Sequence, residues 1–205
     1  MTTLEEMLAL RHVDSKRLNA QVQEMHGETR LYQPKHLRKN AGMTTEAEMV
    51  ALLKKRYSGS STAGLPRYIT ASQVPLFSEG AHRRIDFIAV DSMTEEVMLP
   101  ADTAYTRLPP PVHGFEVKVS RADWLTEFRT SGKKSEPWRW YCDYWWMVVP
   151  NQRVIKPEEL PDGWGLLVGE KQLRAVVKPV RTLGTQPLDM ELMRTIARYS
   201  QRKQL

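Results

Sequence analysis

Three side chains invite a chemical reading before any fold is drawn: Asp86 in the run RIDFIAVD, and Glu116 and Lys118 in FEVKV. The apolar and charged residues around Glu116 and Lys118 alternate as they do along a strand. Successive strand side chains point to opposite faces, so Glu116 and Lys118 project together while Val117 turns into the core. With Asp86 on the neighbouring strand, two carboxylates and an ammonium share one small volume. Two carboxylates at that range repel and raise each other's pKa unless a cation neutralises them. Mg2+ suits such a place: it takes carboxylate oxygens, keeps several waters and pairs with phosphate groups. Lys118, a compact charge with movable donors, would orient an attacking water or steady charge on a phosphate in the transition state. The bland alternative is that Glu116 and Lys118 simply form the solvent face of an amphipathic strand.

These residues need elements to bring them together. Thr45-Glu46-Ala47-Glu48 reads as a capping box opening a helix, with Val50, Leu53 and Tyr57 at helical spacing and Ser58-Gly59-Ser60 ending it. Arg67–Phe77 predicts a strand bent or ended at Pro75, and Arg84–Asp91, rich in β-branched residues, predicts a stronger one. Residues 92–113 read as a long irregular insert closing on Pro109-Pro110-Pro111. Phe115–Val119 is the motif strand, and Ser120-Arg121-Ala122-Asp123 is a second capping box opening a helix with Trp124, Leu125 and Phe128. Tyr144–Val149 is apolar enough for a strand covered on both faces. Gly163–Val168 and Leu173–Val180 predict a closing hairpin; Leu188–Tyr199 predicts an amphipathic helix with Leu188, Leu192, Met193 and Ile196 inward.

The expected fold class is therefore α/β: a mixed, mainly four-stranded central sheet with helices on both faces, and a C-terminal hairpin and helix added to it. Three regions follow: a helical arm over 1–42, a core domain over 43–182, and a basic C-terminal helix over 183–205. His12, His26 and His36 in the arm are scattered rather than spaced as ligands.

The chain has 205 residues, with 30 Lys and Arg against 24 Asp and Glu, for a formal charge of +6. That excess is local: residues 171–205 hold eight basic and two acidic groups, while the rest balances at 22 of each sign. A local excess suits a polyanionic partner. Arg194, Arg198 and Arg202 recur every four residues and make a basic stripe along one helix face, fit to track phosphates or to sit in solvent. At 41% apolar and 26% charged the composition is that of a globular protein, and no apolar run is long enough for a membrane span. The N-terminal MTTLEEMLALRH is acidic where a signal peptide is basic. A lone Cys142 excludes an intrachain disulfide and a Cys-rich zinc site. The expectation is a reduced, cytosolic protein with no membrane partner.

Asp86 followed by Glu116-Val117-Lys118 on successive strands resembles the signature of the PD-(D/E)XK nuclease superfamily. FEVKVSRADW, the lysines at 133–134 and YCDYWWMVVP resemble its MmcB-like branch, associated with DNA repair, and similar phage proteins. The resemblance covers about residues 44–180; Ile85 stands where the motif has proline. It implies a restriction-endonuclease-like core and Mg2+- or Mn2+-dependent hydrolysis of DNA phosphodiesters in repair, recombination or phage DNA metabolism, in a bacterial or phage-infected cytosol. Asp86 and Glu116 would hold the metal, the Val117 carbonyl would be a third protein ligand, and Lys118 would assist the attacking water. The superfamily often takes a further acid from its first helix. Glu48 already pairs with Thr45 in the capping box, so Glu46, on the inward face, is the candidate.

For the DNA backbone the candidates are Arg121, just past the motif strand, Lys134, and the stripe of Arg194, Arg198 and Arg202. Such contacts recognise DNA structure rather than sequence, and phosphate contacts alone do not separate DNA from RNA. Trp138, Trp140 and Tyr141 around Arg139 are candidates for base stacking as well as packing; of Trp145 and Trp146, at least one is core. Two rival readings stand beside the enzyme. One is a binding module that keeps the fold without the reaction, and the other a docking or homo-oligomerising protein that uses residues 1–42.

Overall fold

The computed structural model describes residues 44–60, 64–78, 81–98, 105–129, 136–182 and 185–202. The arm over 1–42, with His12, His26 and His36, and the Lys133–Lys134 pair lie outside them. In chain order the elements are α1 (Glu46–Arg56), β1 (Tyr68–Ser78), β2 (Ala81–Asp91), β3 (Glu95–Met98), β4 (Tyr105–Leu108) and β5 (Val112–Val117). There follow α2 (Arg121–Arg129), α3 (Glu136–Arg139), β6 (Tyr144–Val149), a 3-10 turn (Pro157–Glu159), β7 (Gly165–Val168), β8 (Arg174–Val177) and α4 (Met190–Ser200).

Six strands form one mixed sheet in the order β1-β2-β5-β6-β7-β8, and β3 pairs with β4 apart from it. Strands β5, β6 and β7 run parallel; the outer pairings are antiparallel. This corrects the four-stranded expectation. The C-terminal hairpin is no appendage, because β7 pairs in parallel with β6 and carries the sheet to six strands. Two glycines make that close stacking feasible. Gly114 of β5 pairs with Trp145, and Gly165 of β7 pairs with Trp146, so each indole lies over a neighbouring strand's glycine. A Cβ on Gly114 would overlap the Trp145 ring and come within 2.7 Å of Cys142 Sγ. One on Gly165 would overlap the Trp146 ring and lie 2.9 Å from Pro179 Cδ.

Two further expectations are corrected. The insert over 92–113 is not irregular throughout; it folds as the β3–β4 hairpin. Arg181 anchors it, donating to Glu95 Oε2 at 2.8 Å, to Asp143 Oδ1 at 3.2 Å and to the Pro109 carbonyl at 2.7 Å. Strand β1 runs straight through Pro75, which pairs with Arg84, since an edge strand can spare an N–H. Its irregularity sits two residues earlier: Gln73 has φ +53°, a left-handed conformation costing a non-glycine residue on the order of 1–2 kcal/mol.

Helices cover both faces of the sheet. On one, Met49, Val50, Leu53 and Tyr57 of the α1 region pack on Phe87, Ala89, Phe115, Val117, Trp146 and Val148. On the other, Trp124, Trp138, Leu192 and Ile196 from α2, α3 and α4 pack with Ile88, Trp145, Met147, Val149 and Leu166. Strand β6 alternates between the two clusters, so Trp145 and Trp146 are both core. Cys142 is a buried small hydrophobe whose thiol burial pushes well above its usual pKa. Among the described residues no helix is long and apolar enough to cross a membrane.

The glycine–indole packing has a direct check. Gly114→Ala should destabilise by about 1–3 kcal/mol in urea unfolding. Gly59→Ala, where an added Cβ meets nothing within 4 Å, should stay within about 0.5 kcal/mol of the unchanged chain. Equal stability of the two variants would contradict the packing described.

Candidate functional site

Strands β2 and β5 pair from Val90↔Val112 down to Phe87↔Phe115, and there the ladder stops. Continued by one step, the same register would set Asp86 opposite Glu116. Instead the Val117 N–H donates to Asp86 Oδ2 at 2.7 Å, so a side chain replaces the backbone acceptor as the strands part. On its other side β5 stays attached to β6, with the Lys118 N–H donating to the Val148 carbonyl at 2.9 Å. The sheet thus forks at the C-terminal end of a parallel strand, the edge at which α/β sheets hold their ligands.

Side chains from five elements stand around the fork. Lys118 is 7% exposed, and its Nζ lies 2.7 Å from Glu116 Oε1 and 4.0 Å from Asp123 Oδ2. Asp123 belongs to the first turn of α2, where its N–H donates to Ser120 Oγ at 3.2 Å in the cap the sequence predicts. From the opposite side, the Gln73 Nε2 donates to Glu46 Oε1 at 2.7 Å and to Asp86 Oδ1 at 3.3 Å. Glu48 turns back to close its capping box: the Thr45 N–H donates to its Oε2 at 2.7 Å and its own N–H donates to Thr45 Oγ1 at 3.3 Å. Of the two helix acids, Glu46 is the one at the fork. Val117 turns inward as expected and is 3% exposed.

The electrostatics of Asp86 follow from this crowding. Burial pushes its carboxyl up to about 6; the Val117 N–H opposes that shift, the Glu46 charge adds to it, and Lys118 and Gln73 counter it.

The remaining candidates divide. Arg121 is engaged by Glu159: one guanidinium nitrogen donates to Oε1 at 2.5 Å, and the other to Oε2 and to the Val154 carbonyl at 3.2 Å. It therefore ties α2 to the 3-10 turn rather than offering an open cation. Arg194 and Arg198 are exposed on α4, and the exposed Arg202 lies over the Tyr199 ring, 5.1 Å from its centroid. Lys134 lies outside the described residues. Trp138 is buried with its Nε1 donating to the Arg83 carbonyl at 3.4 Å, whereas Trp140 is 56% exposed. Three residues carry more than their sequence suggested. Gln73 shows only as a polar residue on the strand beside that of Asp86, Asp123 only as a cap, and Arg181 only as part of the basic tail.

Among the described residues no group of three or more His, Cys, Asp or Glu side chains is gathered so as to hold a metal ion. Mg2+ does not require one; it is commonly held by one or two carboxylates with water completing the shell. Glu46 and Asp86 share one amide, so carboxylate oxygens of the kind such an ion takes stand side by side.

No protein-family model matches the chain. No curated protein matches it either. Among solved structures it is similar to the SPO1766 protein of unknown function from Silicibacter pomeroyi, with 18% identity and a TM-score of 0.42, over 75% of this chain and 79% of that one.

The raised carboxyl of Asp86 sets a pH dependence. A native state that holds this proton more tightly than the unfolded chain is fully favoured below about pH 4. It loses that advantage as pH rises towards 6, where the native carboxyl ionises. Asp86→Asn cannot ionise and still offers an oxygen to the Val117 N–H. In EDTA, its stability relative to the unchanged chain should therefore rise between pH 4 and 7, by about 3 kcal/mol at most. A difference that stays flat with pH, measured by denaturant unfolding, would contradict this account.

Proposed function

We propose that this chain is a divalent-metal-dependent nuclease of the PD-(D/E)XK kind, hydrolysing phosphodiester bonds in DNA with a preference for structure over sequence. The observation that carries the reading is the fork itself: Asp86 and Glu46, from a strand and a helix, share the Gln73 amide, and Asp86 holds the Val117 N–H between Glu116 and its partner Lys118. A solvated strand face would not bury Lys118 or place a helix acid one amide away from Asp86.

Asp86 with Glu46 beside it, or Asp86 with Glu116, would hold Mg2+ or Mn2+, with the Val117 carbonyl the backbone candidate. Bound there, the ion would supply Lewis-acid polarisation of a phosphoryl oxygen and a lowered pKa for water. The chain's own groups do the rest. Lys118 keeps its ammonium against Glu116 in a site shielded from solvent, where a fixed positive charge acts strongly on negative charge growing at a phosphate. Arg194 and Arg198, exposed on α4, suit sugar-phosphate contact without base reading, and exposed Trp140 suits stacking on an unpaired base.

A second reading has its own support. Glu116 already carries the Lys118 ammonium, and three acids are not gathered around one point. A DNA-binding module that keeps the fold but not the reaction would look the same.

The deciding experiment incubates the full chain with labelled flap, splayed-arm, Holliday-junction and linear DNA, with and without Mg2+ or Mn2+. The proposal expects metal-dependent cleavage that falls by roughly 10³-fold or more in Lys118→Ala and in Asp86→Ala, while DNA binding changes only a few-fold. Cleavage undiminished in either variant would refute it. Binding without cleavage by the unchanged chain would establish the binding module instead.

A further inference from the structure

We infer that Gln73 is a positioning residue that holds Glu46 and Asp86 side by side for a single divalent cation, an inference that rests on the cation-site reading above. Among the described residues it is the only non-glycine with positive φ. The conformation serves no turn and ends no strand, since Ser72↔Phe87 and Val74↔Ile85 pair in one register on either side of it. It inserts no extra residue, so it is not a bulge in the ordinary sense. What it does achieve is an aim. The register sets Gln73 across from Asp86, and the kink lets its Nε2 donate to Asp86 at 3.3 Å and to Glu46, on another element, at 2.7 Å.

The chemistry of that choice is specific. Two acids that repel are given one donor each by a neutral group, which draws them together without supplying a charge. A lysine or arginine there would neutralise them and compete with a cation. A glycine would suit the backbone but leave the acids unrestrained. Strained backbone persists where the surroundings over-determine it, and such residues gather at functional sites. Partners that orient ligating carboxylates are worth about 10–100-fold in metal affinity.

The test separates the backbone from the amide. Gln73→Gly relieves the left-handed strain and removes the donor; Gln73→Asn tolerates the conformation but is one carbon shorter. Each full-length variant is titrated with Mn2+ and the free ion read by electron paramagnetic resonance, with thermal unfolding measured in EDTA. Gln73→Gly should melt at or above the temperature of the unchanged chain yet bind Mn2+ about 10–100-fold more weakly, with kcat at saturating Mn2+ within about threefold. Gln73→Asn should lose affinity in the same direction. If the unchanged chain binds Mn2+ and cleaves DNA while Gln73→Gly binds as tightly, the positioning role is overturned and the nuclease reading is untouched. If the unchanged chain binds no Mn2+ up to millimolar concentration, both fall together.

Discussion

The hydrogen bond from the Val117 N–H to Asp86 Oδ2 is the constraint on which the candidate site depends. Where β2 parts from β5, a backbone donor would be left without its ladder acceptor, and an unmet buried N–H is costly. Asp86 supplies the acceptor with its side chain, at the cost of taking a carboxylate out of water. That one exchange fixes the carboxylate where the strands part and takes it partly out of water. Glu116 and Lys118 are next along the same strand, on the face that the parting exposes.

The rest of the fold holds this fork still. Strand β6, covered on both faces, anchors the far side of β5 through Lys118 and Val148, and the indoles of Trp145 and Trp146 lie over glycines on either side. The capping box fixes where α1 begins, and so where Glu46 stands. Met49, Val50 and Leu53 then fix which face of α1 lies on the sheet. On the other side Arg121 and Glu159 tether α2 immediately after the motif, so the helix carrying Asp123 cannot drift from Lys118. A partly exposed ion pair adds little stability, but here it has a geometric consequence.

Much of this was legible because local chemistry decides it. Alternation in FEVKV gave the faces of Glu116, Val117 and Lys118, Thr45 and Glu48 gave the helix start, and the unbroken run YWWMVV gave a doubly covered strand. What escaped depends on partners distant in sequence. Whether the C-terminal hairpin joins the sheet turns on Gly165 leaving room for Trp146, which no local pattern expresses. Pro75 looked like the break in β1 because proline lacks an N–H, yet the edge of a sheet forgives that, and the real irregularity fell on Gln73. Arg121 read as a cation for the DNA backbone, and Arg181 only as part of a basic tail, because a sequence shows charge without its counter-charge; Glu159, Glu95 and Asp143 supply it. The tryptophans divided by burial, which put Trp138 inside and left Trp140 outside.

Diffraction can locate a cation at the fork by sight. Crystals of the full chain soaked in Mn2+ and measured at a wavelength where manganese scatters anomalously should show one strong peak at the fork. Oxygens of Asp86 and of at least one of Glu46 and Glu116 should lie within coordination distance of it. A fork without such a peak at millimolar Mn2+, or manganese bound only at some other place on the surface, would contradict the account.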